Sequence, residues 1–193
     1  MKMKASLLLT MALLALAAMP AKAEEAQPAT YKWAVGTDAV QWAALGCINA
    51  SVEYAPGRHW GFNAGMRYNP FTYRRGAENQ MQMRQATPVL GIKFWCDTTF
   101  CGWFMEGKIL ASVYSVANVC GSGCFDGQAI AAGVGAGWCK SMSDRWRLCI
   151  GAGILAALRD NTYYMGPVCG RISGRKRGPV LRPDLSVSIN YLF

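Results

Sequence analysis

The sequence is poor in histidine, in acidic residues and in long apolar runs. It has one histidine, His59, and 11 Asp and Glu against 20 Lys and Arg. After Ala23 it contains no uncharged apolar run of about 18 residues, so a membrane-spanning helix is not expected. Gly133, Gly135 and Gly137 have the wrong spacing for a phosphate-binding loop. Nucleotide-binding enzymes and helical membrane proteins are therefore disfavoured.

The first residues have the three parts of a secretory signal. A basic start at Lys2 and Lys4 is followed by an apolar stretch and then by a small-residue cleavage pattern. We expect residues 1–23 to be a cleaved signal peptide, residues 24–31 a linker and residues 32–193 a single domain. No cysteine stands near the cleavage point, so a lipid anchor is not indicated.

Apolar and polar residues alternate through much of the remaining chain. From residue 60 to residue 69, the even positions carry Trp, Phe, Ala, Met and Tyr, whereas the odd positions carry Gly, Asn, Gly, Arg and Asn. This period of two predicts β-strands with one apolar face. We predict eight strands over residues 32–43, 47–55, 60–73, 82–96, 101–118, 127–142, 145–159 and 180–193.

The strand number and the spacing of the turns are typical of an outer-membrane protein. The connections after residues 55, 96 and 142 are tight, and most of those at the other end are longer. Aromatic residues cluster at strand ends, as in interfacial girdles. We therefore expect an all-β fold, an eight-stranded antiparallel up-and-down transmembrane β-barrel of the outer-membrane type. The girdle candidates are Trp60, Tyr68, Phe71, Tyr73, Phe94, Trp95, Trp103, Phe104, Trp138, Trp146, Tyr191 and Phe193.

A soluble β-sandwich or lipocalin-like barrel is the alternative fold, because it alternates in the same way and fits the same length. Its apolar face would point inward, and the opposite face would carry abundant Lys, Glu and Asp. Here the opposite face carries Gly, Ser, Asn and few charges, which suits a narrow polar lumen. The corresponding functional alternative is a soluble periplasmic or secreted ligand-binding β-barrel whose aromatic face lines a pocket.

Five segments carry a resemblance that spans nearly all of the chain after residue 23. They are Gly36-Thr37-Asp38, residues 49–54, residues 65–71, Lys93-Phe94-Trp95 and residues 190–193. On these segments the chain resembles a family of small uncharacterised outer-membrane barrels of anaerobic Gram-negative bacteria, known only as a domain of unknown function. The resemblance implies an eight-stranded barrel and no established activity. The eight cysteines and the basic last loop depart from the family's pattern.

The C-terminal segment also resembles a targeting signal. Ile189, Tyr191 and the last residue, Phe193, are spaced by two. Such endings are recognised by the outer-membrane assembly machinery, which becomes an expected partner together with outer-membrane lipid. We therefore expect the protein to be exported and to reside in the outer membrane.

Eight cysteines follow the signal, and an even number in an exported chain favours disulfides over metal or catalytic roles. The strand plan places Cys139 opposite Cys149 on the lumen face. The alternatives are a partly reduced set and a zinc loop, for which the spacing is a weak signal. No metal and no cofactor is predicted. The predicted bridges are Cys47–Cys169, Cys96–Cys101, Cys120–Cys124 and Cys139–Cys149.

Charged residues on the lumen face form the next candidate site. In a narrow barrel such groups must pair or meet water, because an isolated buried charge is strongly unfavourable. We expect a structural plug of ion pairs, since the interior of eight strands can be filled by side chains. A proton or ion path is the alternative. The predicted lumen charges are Glu53, Arg67, Lys93, Glu106, Lys108, Arg145, Arg147 and Arg159.

The strongest run of like charge lies in the last long connection. Export argues against nucleic acid as its partner, although basic clusters often bind nucleic acid. Anionic lipid headgroups, an anionic surface glycan or another envelope protein with an acidic surface are the expected partners. A solvated flexible loop is the alternative. The predicted external basic loop comprises Arg171, Arg175, Lys176, Arg177 and Arg182.

Together these features predict a non-enzymatic outer-membrane barrel that is structural or an accessory subunit of an envelope protein complex. An outer-membrane lipid-modifying enzyme is a further alternative, because hydrolases of this kind use a His base with a Ser nucleophile. It is disfavoured because His59 falls in a predicted periplasmic turn, away from the outer leaflet.

Overall fold

The chain folds almost entirely into β-strands. A computed structural model describes residues 31–43, 46–77, 80–119, 123–165 and 170–193. The predicted signal peptide lies outside these residues. The elements are β1 (Trp33–Asp38), α1 (Ala39–Ala43), β2 (Ile48–Tyr54), β3 (Trp60–Asn69), β4 (Thr72–Tyr73), β5 (Met81–Trp95), β6 (Gly102–Ala117), β7 (Cys124–Ser141), β8 (Trp146–Tyr164) and β9 (Ile172–Leu192).

Eight of the strands form a closed antiparallel ring. Consecutive ring strands are paired, β3 pairs with β5 because β4 lies outside the ring, and β1 pairs with β9 to complete the ring. The short strand β4 pairs with β5 outside the ring. The predicted all-β, eight-stranded antiparallel arrangement is thus confirmed. Closure gives each ring strand a partner strand on both sides over at least part of its length, which reduces exposed strand edges.

The ring has two unlike ends. At the terminal end, β1 begins, β9 finishes, and short connections join β2 to β3, β5 to β6, and β7 to β8. At the far end lie α1 and the connections that follow β3, β6 and β8. The strands β6 to β9 are the longest and extend furthest toward the far end.

The first strand is shorter than predicted, because it ends at Asp38 and a single helical turn replaces residues 39–43. The Asp38 carboxylate accepts a hydrogen bond from Val40 N at 2.9 Å, which is the geometry of a helix N-cap. The Asn49 side chain accepts a hydrogen bond from Asp38 N at 2.6 Å. These side-chain partners replace strand pairing at this point.

The last two strands are longer than predicted, and most of the expected basic loop is β-strand. Arg175, Lys176, Arg177 and Arg182 lie in β9, and only Arg171 precedes it. Opposite charges across the hairpin explain the difference, because Asp160 on β8 faces Arg177 and forms a bidentate pair with Arg175. Residues 159–164 and 172–178 together are called the far-end ribbon below.

Over its first part, β9 has a strand partner on one side only. It pairs with β8 throughout, but with β1 only from Ser188 onward. Pro179 and Pro183 lie in this singly paired part, where a residue without an N–H can be accommodated. The Val187 N–H, which lacks a strand partner there, donates to the Asp38 carboxylate at 3.2 Å.

Candidate functional site

The outward face of the ring is apolar, and many of its large side chains are exposed. Ile130 is 70% exposed and Val134 is 71% exposed. Across the middle of all eight ring strands, no outward position carries Asp, Glu, Lys or Arg. These positions are called the apolar belt. Its members include Val35, Val52, Phe62, Met66, Leu90, Ile92, Met105, Ile109, Val113, Ile130, Val134, Ile154, Leu158, Leu181, Leu185 and Ile189.

Aromatic side chains flank the apolar belt, as the sequence predicts. At the terminal end Trp60 packs edge-on against Phe94, and Trp146 does so against Tyr191. Two of the predicted girdle residues are not part of it. Trp95 is 1% exposed and Phe104 is 4% exposed. Both occupy the inward phase of their strands, so assigning them to a girdle was wrong.

Five charged side chains meet inside the ring. Lys93 Nζ lies 2.6 Å from Glu53 Oε2. Lys108 Nζ lies 3.1 Å from Glu106 Oε2 and 2.5 Å from Asp184 Oδ2. Lys93 and Glu106 are directly opposite each other on β5 and β6, so the two groups are contiguous. We call these five residues the ion-pair cluster.

A layer of aromatic and small side chains lies beneath the ion-pair cluster, toward the terminal end. Trp95 donates its indole N–H to Glu53 Oε1 at 3.2 Å, and Lys93 Nζ lies 5.1 Å from the centre of the Phe104 ring. Gly137 leaves the space that Phe104 occupies, because a Cβ there would overlap the ring and the Ile150 carbonyl. The layer, called the aromatic base, comprises Ala34, Ala55, Trp95, Phe100, Phe104, Cys139, Cys149 and Leu192.

A small polar space adjoins the ion-pair cluster. It has a volume of about 100 Å³ and is lined mainly by polar side chains, including Asp38, Asn49 and Asn190. A polar space of this size can hold ordered water, which would satisfy the remaining polar groups.

The far half of the interior is a cavity of about 540 Å³, called the far cavity. Arg67, Arg159 and Arg182 line it, together with Tyr114 and Asn161. Tyr114 donates its hydroxyl to Asn161 Oδ1 at 2.6 Å. Ordered polar groups and three guanidiniums thus face a space large enough for a small molecule.

The predicted lumen charges therefore divide into three groups. Glu53, Lys93, Glu106 and Lys108 are brought together, whereas Arg67 and Arg159 line the far cavity. The other two belong to the terminal end. The Arg147 guanidinium donates to the Ser143 carbonyl at 2.5 Å, and Arg145 donates to the Tyr191 hydroxyl at 2.9 Å.

The prediction of a lumen position for Arg145 is wrong. The side chain is exposed, because β8 begins one residue later at Trp146 and Arg145 therefore belongs to the turn. Asp184 was missed as a cluster member. Its signal was present, since it lies on the same strand face as Ser186 and Ser188, and that face is inward.

One predicted disulfide is present. Cys139 and Cys149 are directly opposite on β7 and β8 and are bonded. The Cys96–Cys101 bridge is not formed, so that prediction is wrong. Cys96 N donates to the Trp103 carbonyl at 2.9 Å, which pairs Cys96 with Trp103 and leaves Cys101 inside the turn. The other two predicted bridges involve residues 120 and 169, which lie outside the described residues.

The far-end ribbon holds the predicted basic residues in a defined arrangement. Arg175 donates from Nε to Asp160 Oδ1 at 2.9 Å and from its terminal nitrogen to Asp160 Oδ2 at 2.8 Å. Hydrogen bonding from Arg175 lowers the pKa of the Asp160 carboxyl, and the same pairing raises the pKa of Arg175. Lys176 and Arg177 lie exposed beside this pair.

Two further sequence candidates lie near the terminal end. His59 precedes β3, its Nδ1 lies 2.9 Å from the Trp95 carbonyl oxygen, and its ring stacks on Phe94. The proposed assembly signal, Ile189, Tyr191 and Phe193, points outward from the strand that closes the ring.

Two other kinds of site have no candidate among the described residues. In the part of the chain that the structure describes, no three His, Cys, Asp or Glu residues are grouped to hold a metal. The described helical residues contain no span that is long and apolar enough to cross a membrane.

A family model matches most of the chain. The model of the family described as "Protein of unknown function (DUF3575)" matches residues 8–193. The chain belongs to the DUF3575 family. No curated protein and no solved structure matches it.

This match confirms the prediction that the chain belongs to a domain-of-unknown-function family. The family's description contains no activity, ligand or cellular location. What this DUF3575 protein does must therefore be inferred from its own apolar belt, ion-pair cluster and far cavity.

Proposed function

We propose that this DUF3575 protein is a non-enzymatic outer-membrane β-barrel, structural or an accessory subunit of a Gram-negative envelope complex. The observation that carries the proposal is the inverted polarity of the ring. Large apolar side chains such as Val134 and Leu181 point outward, whereas Lys108 and Asp184 are buried inside. A water-soluble ring would have the reverse arrangement, since apolar surface is expelled from water.

The height of the apolar belt fits a bilayer. The belt and its aromatic border together run from Ile130 to Trp138 on β7 and from Trp146 to Leu158 on β8. A tilted transmembrane strand needs about 9–11 residues to cross the hydrocarbon layer. Charged residues reappear beyond the belt in the far-end ribbon, which includes Asp160. The belt and its aromatic borders therefore match lipid tails and the interfaces that flank them.

The proposed orientation places both termini in the periplasm and the far end outside the cell. Short turns at the terminal end and longer strands and connections at the far end support it. The predicted signal peptide and the alternating C-terminal residues agree with export and assembly. In this orientation Lys176 and Arg177 would face anionic lipid headgroups, surface glycan or an acidic partner protein.

The two alternatives have less support. A soluble ligand-binding barrel needs its aromatic face around an internal pocket, but Trp60 and Trp103 point outward. A lipid-modifying enzyme needs a base near the outer leaflet. His59 is stacked on Phe94 near the end of the ring that holds both termini.

Membrane fractionation followed by gel electrophoresis with and without heating tests the proposal. We expect recovery in the outer membrane and a band that shifts on heating, because closed barrels resist unfolding by detergent until heated. Recovery in the soluble fraction with no heat-dependent shift would overturn the proposal.

A pair of variants on one strand tests the apolar belt. Val134→Arg places a charge in the middle of the belt, and we expect it to destabilise the folded, inserted protein by about 2–4 kcal/mol. Gln128→Arg is the matched control, because Gln128 is also outward on β7 but faces Asp160 beyond the belt. Equal recovery of both variants in the membrane would contradict lipid contact at Val134.

A further inference from the structure

The far cavity has the volume and the position of a ligand site. Its volume of about 540 Å³ lies within the range of about 300–1,000 Å³ that small-molecule pockets occupy. The ion-pair cluster and the aromatic base fill the interior on its terminal side. A ligand would therefore enter from the far end and rest above the cluster.

Two chemistries meet in the wall of the far cavity. One part of the wall is aliphatic and aromatic, and it would suit an apolar ligand body. The wall also carries the guanidiniums of Arg159 and Arg182, from the neighbouring strands β8 and β9, and that of Arg67, from β3 on the other side of the ring. Arg159 and Arg182 project inward from the paired strands β8 and β9, and the positive charges of both act on Tyr114. The apolar part includes Leu110, Val116, Phe125, Leu155 and Val180.

The three guanidiniums have no ion-pair partner within the described residues. The described salt bridges involve other cations, and no described hydrogen bond involves Arg67, Arg159 or Arg182. Asp38 is the carboxyl on which Arg67 acts electrostatically, and it already caps α1. Asp184 also lines the cavity, but Lys108 holds it at 2.5 Å.

This excess of positive charge favours the binding of an anion. A concave wall that carries one sign of charge concentrates ions of the opposite sign. Guanidiniums bind carboxylate and phosphate groups through paired hydrogen bonds, which are stronger than bonds between neutral groups. The ion-pair cluster below shows the contrast, because each of its cations has a carboxylate within hydrogen-bond distance.

We infer that the far cavity binds an amphiphilic anion, a molecule with an apolar body and one phosphate or carboxylate group. The anionic group is bound by Arg159 and Arg182, and Arg67 adds positive charge to the cavity. The apolar body packs against the wall that includes Leu110 and Phe125. A membrane lipid is a source of such an anion, whereas a free inorganic phosphate lacks the apolar body and is the alternative that the test distinguishes.

Calorimetric titration of the purified full-length protein in a non-ionic maltoside detergent tests the inference, with decyl phosphate as the probe. Inorganic phosphate tests the anionic group alone, and decanol tests the apolar body alone. We expect decyl phosphate to bind more tightly than either. Equal binding of decanol would overturn recognition by the arginines, and equal binding of inorganic phosphate would overturn the amphiphile.

Three variants locate the binding. In Arg159→Gln/Arg182→Gln, we expect the affinity for decyl phosphate to fall about tenfold or more for each charge-assisted hydrogen bond that is removed. Arg74→Gln/Arg75→Gln removes two exposed cations that do not line the far cavity and is the matched control, for which we expect unchanged affinity. Ala129→Trp narrows the cavity while it keeps every arginine, and we expect it to weaken binding.

Each variant is first checked for a heat-modifiable folded band. Unchanged affinity in folded Arg159→Gln/Arg182→Gln would overturn the inference. Unchanged affinity in folded Ala129→Trp would do the same, and it keeps the test decisive if the double variant fails to fold. A loss of affinity confined to Arg74→Gln/Arg75→Gln would place the anion outside the cavity and would also overturn the inference.

Discussion

The two halves of the ring interior satisfy their charges in opposite ways. In the half nearer the termini, Lys93 and Lys108 are held by three carboxylates, and the aromatic base packs beneath them. In the far half, Arg67, Arg159 and Arg182 line an open cavity. One strand framework therefore supports a packed, self-neutralised region and a region with uncompensated positive charge. The first is suited to stability and the second to binding.

The largest expected effect comes from breaking the ion-pair cluster at its centre. Lys108→Met leaves the carboxylates of Glu106 and Asp184 buried without their shared cation. We expect the free energy of unfolding to fall by about 3–5 kcal/mol, as is found when one partner of a buried pair is removed. Urea titration of the refolded protein in detergent measures the change. Lys176→Met, on the exposed ribbon, is the control and should lie within about 0.5 kcal/mol of the parent.

Removal of the disulfide is expected to have the next largest effect in the same half. Cys139→Ser/Cys149→Ser opens the link that joins β7 to β8 inside the aromatic base. We expect a loss of about 2–3 kcal/mol, because the unfolded chain gains freedom when a short loop is no longer closed. Thermal unfolding with and without reductant measures it. A reductant effect of the same size in the double variant would contradict the assignment to this bridge.

The far half should respond differently to loss of charge. Arg159→Gln/Arg182→Gln removes two cations that have no ion-pair partner among the described residues, so we expect a change in stability of no more than about 0.5 kcal/mol. The same urea titration applies. A loss comparable to that of Lys108→Met would show that these arginines are structural and would erase the contrast between the two halves.

The smallest effect is expected in the far-end ribbon and depends on pH. Hydrogen bonding from Arg175 lowers the pKa of Asp160. The Asp160–Arg175 pair therefore contributes to the stability of the ribbon at pH values above the ordinary pKa of the carboxyl. The contribution is lost as the pH falls through the lowered pKa. We expect the ribbon amides to exchange hydrogen faster near pH 3 than near pH 5, after correction for intrinsic rates. In Asp160→Asn the corrected exchange should not vary between these pH values.

Much of the ring could be predicted from the period of two in the sequence. The pairing of Cys139 with Cys149 also followed, because the short turn between β7 and β8 fixes the register of that hairpin. The Cys96–Cys101 prediction failed because the register of the β5–β6 hairpin differs from the one that was assumed. The register there pairs Cys96 with Trp103, and a count of turn residues alone did not determine it.

Other features depended on contacts between distant segments. Asp38 ends β1 and caps α1, and its carboxylate also accepts a hydrogen bond from Val187, far away in the chain. Asp184 meets Lys108 only because ring closure brings β9 and β6 inward toward the same point. The far-end ribbon lacks apolar alternation, so its sequence predicts a loop, whereas charge pairing across the hairpin holds it as two strands.

Photocrosslinking in native membranes tests the central claim, that the apolar belt faces lipid. Benzoylphenylalanine would replace Val134 or Ile154 in the belt and, as a control, Lys176 in the far-end ribbon. All native cysteines stay in place. We expect adducts to lipid acyl chains, identified by mass spectrometry, at Val134 and Ile154 and none to acyl chains at Lys176. Protein recovered from the aqueous fraction, with no lipid adduct at either belt position, would contradict the claim.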